Sequence, residues 1–168
     1  VTYWANEEPA VRIKLRIVQS YFNQTKEEIA DNIENYKEEY LTNIKPYLTV
    51  FDSVGTHIDE INEYTRVYKP DVMFIDQLDK VQVSGTYNRT DEKLKEVYVR
   101  AREIAKRHNC LMWAVSQAGY EAEGKSIIDY SMLDNSRTGK AGEADLIIGI
   151  GRGADNHDLS DPYRCITI

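Results

Sequence analysis

The sequence predicts an α/β fold of three layers, in which a mainly parallel sheet carries helices on both faces. Short apolar runs alternate along the chain with segments of helical periodicity, which is the pattern of βαβ units with right-handed crossovers. The run Asp71–Asp76 is apolar on both faces of its pleat, as a parallel strand covered by helices requires. A length of 168 residues, with 42% apolar and 29% charged residues, is typical of one soluble domain.

The first part of the chain predicts a strand followed by two helices. Val1–Trp4 has the composition of a strand, and apolar residues then recur at helical spacing between Pro9 and Phe22. Thr25 and Glu28 form a capping-box pattern, which predicts the start of a second amphipathic helix. The apolar face of this second helix consists of Ile29, Ile33, Tyr36 and Tyr40.

The middle of the chain predicts two strands and two helices. Tyr47–Asp52 is typical of a short buried strand, and Thr56 is a suitable cap for the helix that follows. Asp71–Asp76 is the next strand. The clearest helix covers residues 91–108, with acidic residues in its first turn and basic residues in its last. The inward residues of the helix after Thr56 are Ile58, Ile61, Tyr64 and Tyr68.

The last part of the chain predicts further strands around one long irregular segment. Leu111–Val115 and Leu146–Ile150 are typical of buried strands, and Cys165–Ile168 is strand-like. Between them, Ala118–Gly142 is rich in glycine, serine and aspartate and predicts a loop. Long loops in compact domains are usually functional or mobile.

Charge and cysteine usage exclude several classes of protein. A net charge of −7 argues against a protein that coats nucleic acid by bulk electrostatics, although a local basic groove is compatible with it. The two cysteines and three histidines show neither a disulfide framework nor the spacing of a zinc site. The longest apolar stretch, Leu146–Gly151, is far shorter than the roughly 20 residues that cross a bilayer. We therefore expect a cytoplasmic protein without a membrane segment.

The two ends of the chain predict a piece of a longer protein. The chain starts at Val1 instead of methionine and runs at once into a strand-like segment. It stops within another such segment, Cys165–Ile168, without a polar tail.

Polar residues follow three of the predicted strands at the edge where ligands of parallel sheets bind. These residues are Asn6–Pro9, Asp76 with Gln77, and Ser116 with Gln117. Two carboxylates and an amide at one edge suit metal-assisted attack of water on a phosphate, in which one acid holds Mg²⁺ and another activates the water. Each residue alone also has a structural explanation, as a turn residue or as an acid at a helix N-terminus.

Five segments together resemble the ATPase core of RecA-like replicative helicases of the DnaB type and their bacteriophage relatives. The resemblance covers about Val1–Arg152 and rests on the order and spacing of the segments. They are Asn6–Pro9, Asp71–Asp76, Trp113–Gln117, Asp134–Lys140 and Glu143–Ile148.

The resemblance implies roles for three residues and for one loop. It makes Glu7 the acid that activates water, Asp76 the acid that holds Mg²⁺ through water, and Gln117 the link between the γ-phosphate and DNA. Residues 118–142 would face single-stranded DNA inside a hexameric ring, and ATP or another nucleoside triphosphate would be the substrate. In that family the phosphate-binding loop precedes the Glu7 strand and the arginine finger follows Ile168, so we expect this fragment alone to be inactive.

One segment imitates a phosphate-binding loop. Residues 119–126 read Gly-Tyr-Glu-Ala-Glu-Gly-Lys-Ser and satisfy the Walker A pattern. We reject this interpretation because Glu121 and Glu123 would lie where backbone amides must cradle phosphate, and because residues 127–135 predict a poor helix. The motif would also follow the Asp76 strand and so invert the usual order.

The resemblance makes Lys125 a candidate contact to a DNA phosphate, and the residues themselves suggest a small patch at Arg137 and Lys140. Gly139 and Gly142 flank this patch, which suggests contacts to a nucleic-acid backbone. Solvated loop charges are an equally good explanation of the patch.

The sequence thus predicts the central part of an ATP-dependent DNA helicase of a phage or a similar replication system. A strand-exchange recombinase or another RecA-like ATPase shares the same core and would form filaments in place of rings. A non-catalytic interaction module that has lost its phosphate site is the third interpretation.

Overall fold

The computed structural model describes residues 1–134, 137–152 and 163–168, without the side chains of residues 137 and 138. The chain divides into two compact units. The first unit comprises Val1–Gln82 and Ile104–Val115, and the second comprises Val83–Glu103 and Ser116–Ile168. None of the described helices combines the length and the hydropathy that a bilayer crossing requires.

The first unit contains a four-stranded parallel sheet, formed by β1 Thr2–Ala5, β2 Thr49–Asp52, β3 Val72–Asp76 and β4 Leu111–Ala114. The strand order is β2-β1-β3-β4. Ala5, the last residue of β1, lies opposite Asp52 of β2 and Asp76 of β3. The predicted parallel α/β sheet is therefore confirmed. The helices are α1 Ala10–Phe22, α2 Lys26–Asp31, α3 Ile33–Glu39, α4 Ile58–Tyr68 and α5 Thr90–His108. Residues 90–103 of α5 belong to the second unit.

Helices pack on both faces of this sheet. On one face Ala5 and Val50 form a buried cluster with Ala10 and Ile13 of α1. On the other face Trp4 lies edge-on to Tyr64 of α4, with 5.5 Å between the ring centroids. Neighbouring positions of a strand point to opposite faces, so Trp4 and Ala5 pack against different helices. The predicted three layers are therefore confirmed.

The second predicted helix is divided into two. The capping box forms as expected, because the Thr25 hydroxyl accepts from the Glu28 backbone at 3.2 Å and Glu28 accepts from the Thr25 backbone at 2.7 Å. The hydrogen bonds from Thr25 lower the pKa of Glu28. Asn32 leaves the helical region with φ of −137°, and a π-helical turn over Tyr40–Ile44 follows α3. The predicted inward position of Ile33 is wrong, because the break turns Ile33 to the surface, where it is 52% exposed.

Helix α4 begins one residue later than predicted and buries only part of its predicted face. His57, not Thr56, is the cap, and its Nδ1 accepts from the Asp59 backbone at 3.2 Å. Ile58 and Ile61 are fully buried, whereas Tyr64 and Tyr68 are 44% and 50% exposed. The two tyrosines lie against Phe51 of β2, which is an edge strand of the described sheet. Side chains that pack at an edge strand are less buried than those at a central strand.

Strand β4 is more exposed than its apolar sequence predicts. Leu111, Trp113 and Val115 are 56%, 40% and 42% exposed. The prediction of a buried strand is wrong here because, within the described sheet, β4 hydrogen-bonds only to β3 and forms the second outer strand.

The second unit contains α6, Arg137–Ala141, and an antiparallel pair of strands, β5 Gly149–Gly151 and β6 Cys165–Thr167. The prediction of a buried strand over Leu146–Ile150 is wrong, since the strand starts at Gly149 and Ile150 is 68% exposed. Gly149 and Gly151 explain the local packing. A Cβ at either position would overlap the carbonyl oxygen of Ile128 or Ser126, so these backbones pack in direct contact.

Substitution of Ile61 by alanine tests the packing of α4. Ile61 is fully buried, so the change should lower the free energy of unfolding by about 2–5 kcal/mol through lost burial and a residual cavity. Urea unfolding followed by tryptophan fluorescence measures this, because both tryptophans, Trp4 and Trp113, belong to the first unit. Val67→Ala on the same helix is the control, since Val67 is 64% exposed. Equal losses in the two variants would contradict the described packing.

Candidate functional site

Glu7 and Asp76 lie at the same edge of the sheet, where β1 and β3 end. The two strands run parallel with Ala5 opposite Asp76, and the Asn6 backbone then donates to the Asp76 carbonyl oxygen at 2.6 Å. Glu7 follows Asn6 directly. Because the register ties the two strand ends together, the prediction that Glu7 and Asp76 share one edge is consistent with the backbone of the first unit.

A tyrosine of β1 holds the carboxylate of Asp76. The Tyr3 hydroxyl donates to Asp76 Oδ2 at 2.7 Å. Burial raises the pKa of Tyr3 above its ordinary value, and the hydrogen bond to Asp76 and its negative charge raise it further. The Tyr3 hydroxyl therefore stays protonated and remains a hydrogen-bond donor throughout the physiological pH range. Asp76 Oδ1 accepts no hydrogen bond from the residues that the structure describes.

Two donors that follow β3 hold the carboxylate of Glu7. Gln77 Nε2 donates to Glu7 Oε2 at 2.7 Å, and Lys80 Nζ donates to Glu7 Oε1 at 3.1 Å. The Glu7 and Lys80 side chains are 39% and 43% exposed, whereas Gln77 is buried. Asp76 at the end of β3 is therefore held by Tyr3 of β1, and Glu7, which follows β1, is held by two residues that follow β3.

Asn6 connects the two strand ends through its side chain. The residue is buried, and its Nδ2 donates to the Gln77 carbonyl oxygen at 3.1 Å. Its Oδ1 is also buried, and no hydrogen-bond donor reaches it within the described part of the chain. Asn6 thus fixes the turn that carries Gln77.

The neighbouring acid, Glu8, lies in a different environment. Its carboxylate pairs with Arg16 of α1 at 2.9 Å, and its side chain is 30% exposed. The sequence places Glu7 and Glu8 side by side without distinguishing them. Of these two acids, only Glu7 hydrogen-bonds to the described segment that follows Asp76.

The ligands that Mg²⁺ prefers are compatible with Asp76. Mg²⁺ is usually bound by one or two carboxylates together with waters and substrate phosphates, and it needs no cage of protein ligands. Among the described residues no group of three or more histidine, cysteine, aspartate or glutamate side chains could hold a metal ion. Asp76, with Oδ1 available, therefore fits a magnesium ion that the substrate would help to bind.

A cleft of about 500 Å³ lies elsewhere in the first unit. Its lining includes the aromatic residues Trp4, Phe51 and Tyr64. Its lining includes four carboxylates and no basic residue, which would repel a polyphosphate. Neither Glu7 nor Asp76 lines this cleft, so we do not assign it to the nucleotide. The carboxylates belong to Asp52, Asp59, Glu60 and Glu63.

Gln117 belongs to the second unit and has an exposed side chain. Its backbone carbonyl accepts from the Asp134 backbone at 3.3 Å. Its side-chain amide makes no hydrogen bond within the part of the chain that the structure describes. The meeting of Gln117 with Glu7 and Asp76 stays a prediction.

The three candidate DNA contacts differ in their surroundings. Lys125 is exposed, and its charge contributes slightly to the lowered pKa of Asp129, which results mainly from hydrogen bonds with Ser131. Lys140 is 2% exposed and donates to the Ser116 hydroxyl at 3.0 Å. A phosphate contact by Lys140 would therefore require its ammonium to leave this buried position. Arg137 begins α6, but its side chain lies outside the described residues.

The segment that imitates a phosphate-binding loop lacks the helix that such a loop needs. A 3-10 turn covers Tyr120–Ala122, and the next helical segment is another 3-10 turn, Tyr130–Met132. Without an α-helix directly after Lys125 there is no helix N-terminus to face a phosphate. This arrangement agrees with the rejection of residues 119–126 as a phosphate loop.

Sequence reasoning did not identify Tyr3 or Lys80 as residues of this site, and it placed Gln77 at this edge without giving it a role. The alternation of β1 places Tyr3 on the same face as Ala5, but its contact with Asp76 depends on the register with β3. Gln77 was visible beside Asp76, whereas nothing in its residue type predicts that it points to Glu7. Lys80 belongs to no motif.

The fold of this chain, with its four-stranded parallel sheet and covering helices, matches solved structures. A structure of a DnaB-like replicative helicase, described with its interactions with primase, matches with a TM-score of 0.80 and 17% identity over 95% of this chain. The chain has a RecA-like α/β fold. A second solved structure, described as an ATPase domain, matches with a TM-score of 0.72 and 16% identity over 96% of this chain. The chain spans 43% and 62% of the lengths of these two structures.

The sequence itself matches no protein-family model and no curated protein. At 16–17% identity the structural likeness concerns the fold. The fold class predicted from the sequence, including its RecA-like character, is thereby confirmed.

Substitution of Tyr3 by phenylalanine tests the bond that holds Asp76. The change removes one part-buried hydrogen bond to a carboxylate, so the free energy of unfolding should fall by about 1–2 kcal/mol. Urea unfolding measures the difference. Tyr47→Phe is the matched control, because Tyr47 is 74% exposed and its hydroxyl has no partner among the described residues. If the two variants were equally stable, the bond between Tyr3 and Asp76 would contribute nothing.

Proposed function

We propose that this chain is the central part of the motor of an ATP-dependent replicative DNA helicase, which couples hydrolysis of a nucleoside triphosphate to movement on single-stranded DNA. The observation that supports the proposal best is the pair of acids, Glu7 and Asp76, at the ends of adjacent parallel strands. The RecA-like fold supports it further, because one matched structure is a DnaB-like replicative helicase and the other is an ATPase domain by description.

Glu7 is the general base in this proposal. A carboxylate oxygen has two lone pairs, and the bonds from Gln77 and Lys80 use one on each oxygen of Glu7. A lone pair therefore remains to accept the proton of the water that attacks the γ-phosphate. The partial exposure of Glu7 allows water and substrate to reach it.

Asp76 would hold Mg²⁺ through a water molecule, and the ion would neutralise part of the charge on the phosphates. The Tyr3 hydroxyl keeps the Asp76 carboxylate in one orientation. Tyr3 is neutral, so it directs the carboxylate without cancelling the negative charge that a cation needs.

Gln117 would sense the γ-phosphate through its neutral amide and transmit the nucleotide state to residues 118–142. In that loop Lys125, Arg137 and Lys140 would contact DNA phosphates, Lys140 after leaving its contact with Ser116. The active assembly in this proposal is a homo-oligomeric ring, a hexamer, that encloses single-stranded DNA in the cytoplasm of a bacterium or a phage-infected cell.

Glu7→Gln in the natural full-length protein tests the catalytic assignment. The amide keeps the shape of the side chain but cannot take a proton, so the rate of ATP turnover should fall about 10²–10⁴-fold, the usual contribution of a general base. Binding of ATP and of single-stranded DNA, measured by fluorescence anisotropy, should be retained. Glu8→Gln is the matched control, because Glu8 pairs with Arg16 and should be dispensable for turnover. Equal turnover by the two variants would remove Glu7 from the mechanism.

A further inference from the structure

A single short segment after β3 supplies both donors to the Glu7 carboxylate. Gln77 is the first residue after the strand, and Lys80 ends the 3-10 turn Leu78–Lys80. The two residues bind different oxygens of Glu7, at 2.7 and 3.1 Å. Two donors on two oxygens determine the plane of a carboxylate, which one donor cannot do.

This segment is anchored independently of Glu7. Leu78 and Val81 are each 1% exposed, and the Leu78 backbone donates to the Val115 carbonyl oxygen at 3.1 Å. The Val81 backbone in turn donates to the Leu78 carbonyl oxygen at 3.0 Å and closes the turn. Gln77 and Lys80 therefore extend from a backbone that is held by buried aliphatic side chains and by the end of β4.

The two donors act in different ways. Gln77 is buried, and its backbone is tied to Asn6, so its amide sets the direction of Glu7 Oε2 without adding charge. Lys80 is 43% exposed and adds a positive charge next to Oε1. An ion pair this exposed contributes only about 0–1 kcal/mol to stability. The main consequence of the Lys80 contact is therefore local, namely the orientation of the Glu7 carboxylate.

We propose that Gln77 and Lys80 are positioning residues, which align the Glu7 carboxylate for proton transfer without touching the nucleotide themselves. This inference rests on the proposed role of Glu7 as general base. It adds two residues to the site. Lys80, which belongs to no phosphate-binding motif, would orient the Glu7 carboxylate. Loss of either donor leaves the base present but misaligned, and misalignment by about 1 Å can reduce a rate up to 10²-fold.

The experiment compares Lys80→Met with Lys80→Arg in the natural full-length protein. Lys80→Met keeps the apolar stem and removes the ammonium, so kcat for ATP should fall about tenfold while KM stays within about twofold. Lys80→Arg retains a donor of the same charge and should restore most of the lost kcat. The thermal unfolding midpoint should be the same in all three proteins.

Lys45→Met is the matched control for Lys80→Met. Lys45 is exposed in the same unit, and its ammonium has no partner among the described residues. The same chemical change there should leave kcat and KM unaltered. Gln77→Met provides an independent second variant, since it keeps the length of the side chain and replaces the amide that donates to Glu7 by a thioether. It should lower kcat more than Lys80→Met does, because the bond from Gln77 is shorter and part-buried, whereas the bond from Lys80 is exposed.

The outcomes separate this inference from the function on which it rests. If Glu7→Gln abolishes turnover while Lys80→Met and Gln77→Met behave like Lys45→Met, the positioning role is wrong and the catalytic assignment stands. If Lys80→Met raises KM at constant kcat, Lys80 binds the nucleotide and the positioning role is also wrong. If Glu7→Gln itself retains turnover, both proposals fail.

Discussion

The parallel register between β1 and β3 is the constraint on which the candidate site depends. It sets Ala5 opposite Asp76, and it continues past the strand ends through the bond from the Asn6 backbone to the Asp76 carbonyl oxygen. A shift by one residue would turn every side chain of β1 to the other face of the sheet. Tyr3 would then leave Asp76, and Ala5 would leave the cluster under α1. The core and the site therefore depend on the same pairing.

Two acids at one strand edge need neutral or positive groups to hold them, because like charges that lie close together destabilise each other. In the first unit, donors on each side of the β1–β3 pair bind the acid on the other side. Tyr3 of β1 binds Asp76, while Gln77 and Lys80, which follow β3, bind Glu7. Only one of these three donors carries a charge, so the edge keeps a net negative character. Such an edge is suited to a divalent cation and to a base.

The structural likeness to the two solved structures at 16–17% sequence identity has a physical explanation. A covered parallel sheet needs apolar residues at alternating and helical positions, and many sequences satisfy that pattern. In this chain one such contact is that of Trp4 with Tyr64 of α4. In the second unit the buried ammonium of Lys140 lies 5.7 Å from the ring centroid of Tyr98 and bonds to Ser116, which gives that unit a polar anchor.

The sequence by itself determined the local features: the apolar strands β1 to β3, the helix periods, the capping box at Thr25 and the acids that follow the strands. These follow from neighbours within a few residues of each other, so a linear pattern contains them. Only the tertiary structure decided that β4 is an outer strand, that Ile33 is exposed, and that Glu7 and not Glu8 is held by Gln77 and Lys80. Those outcomes depend on strand order, on register and on contacts across some 70 residues of chain, which no local pattern records.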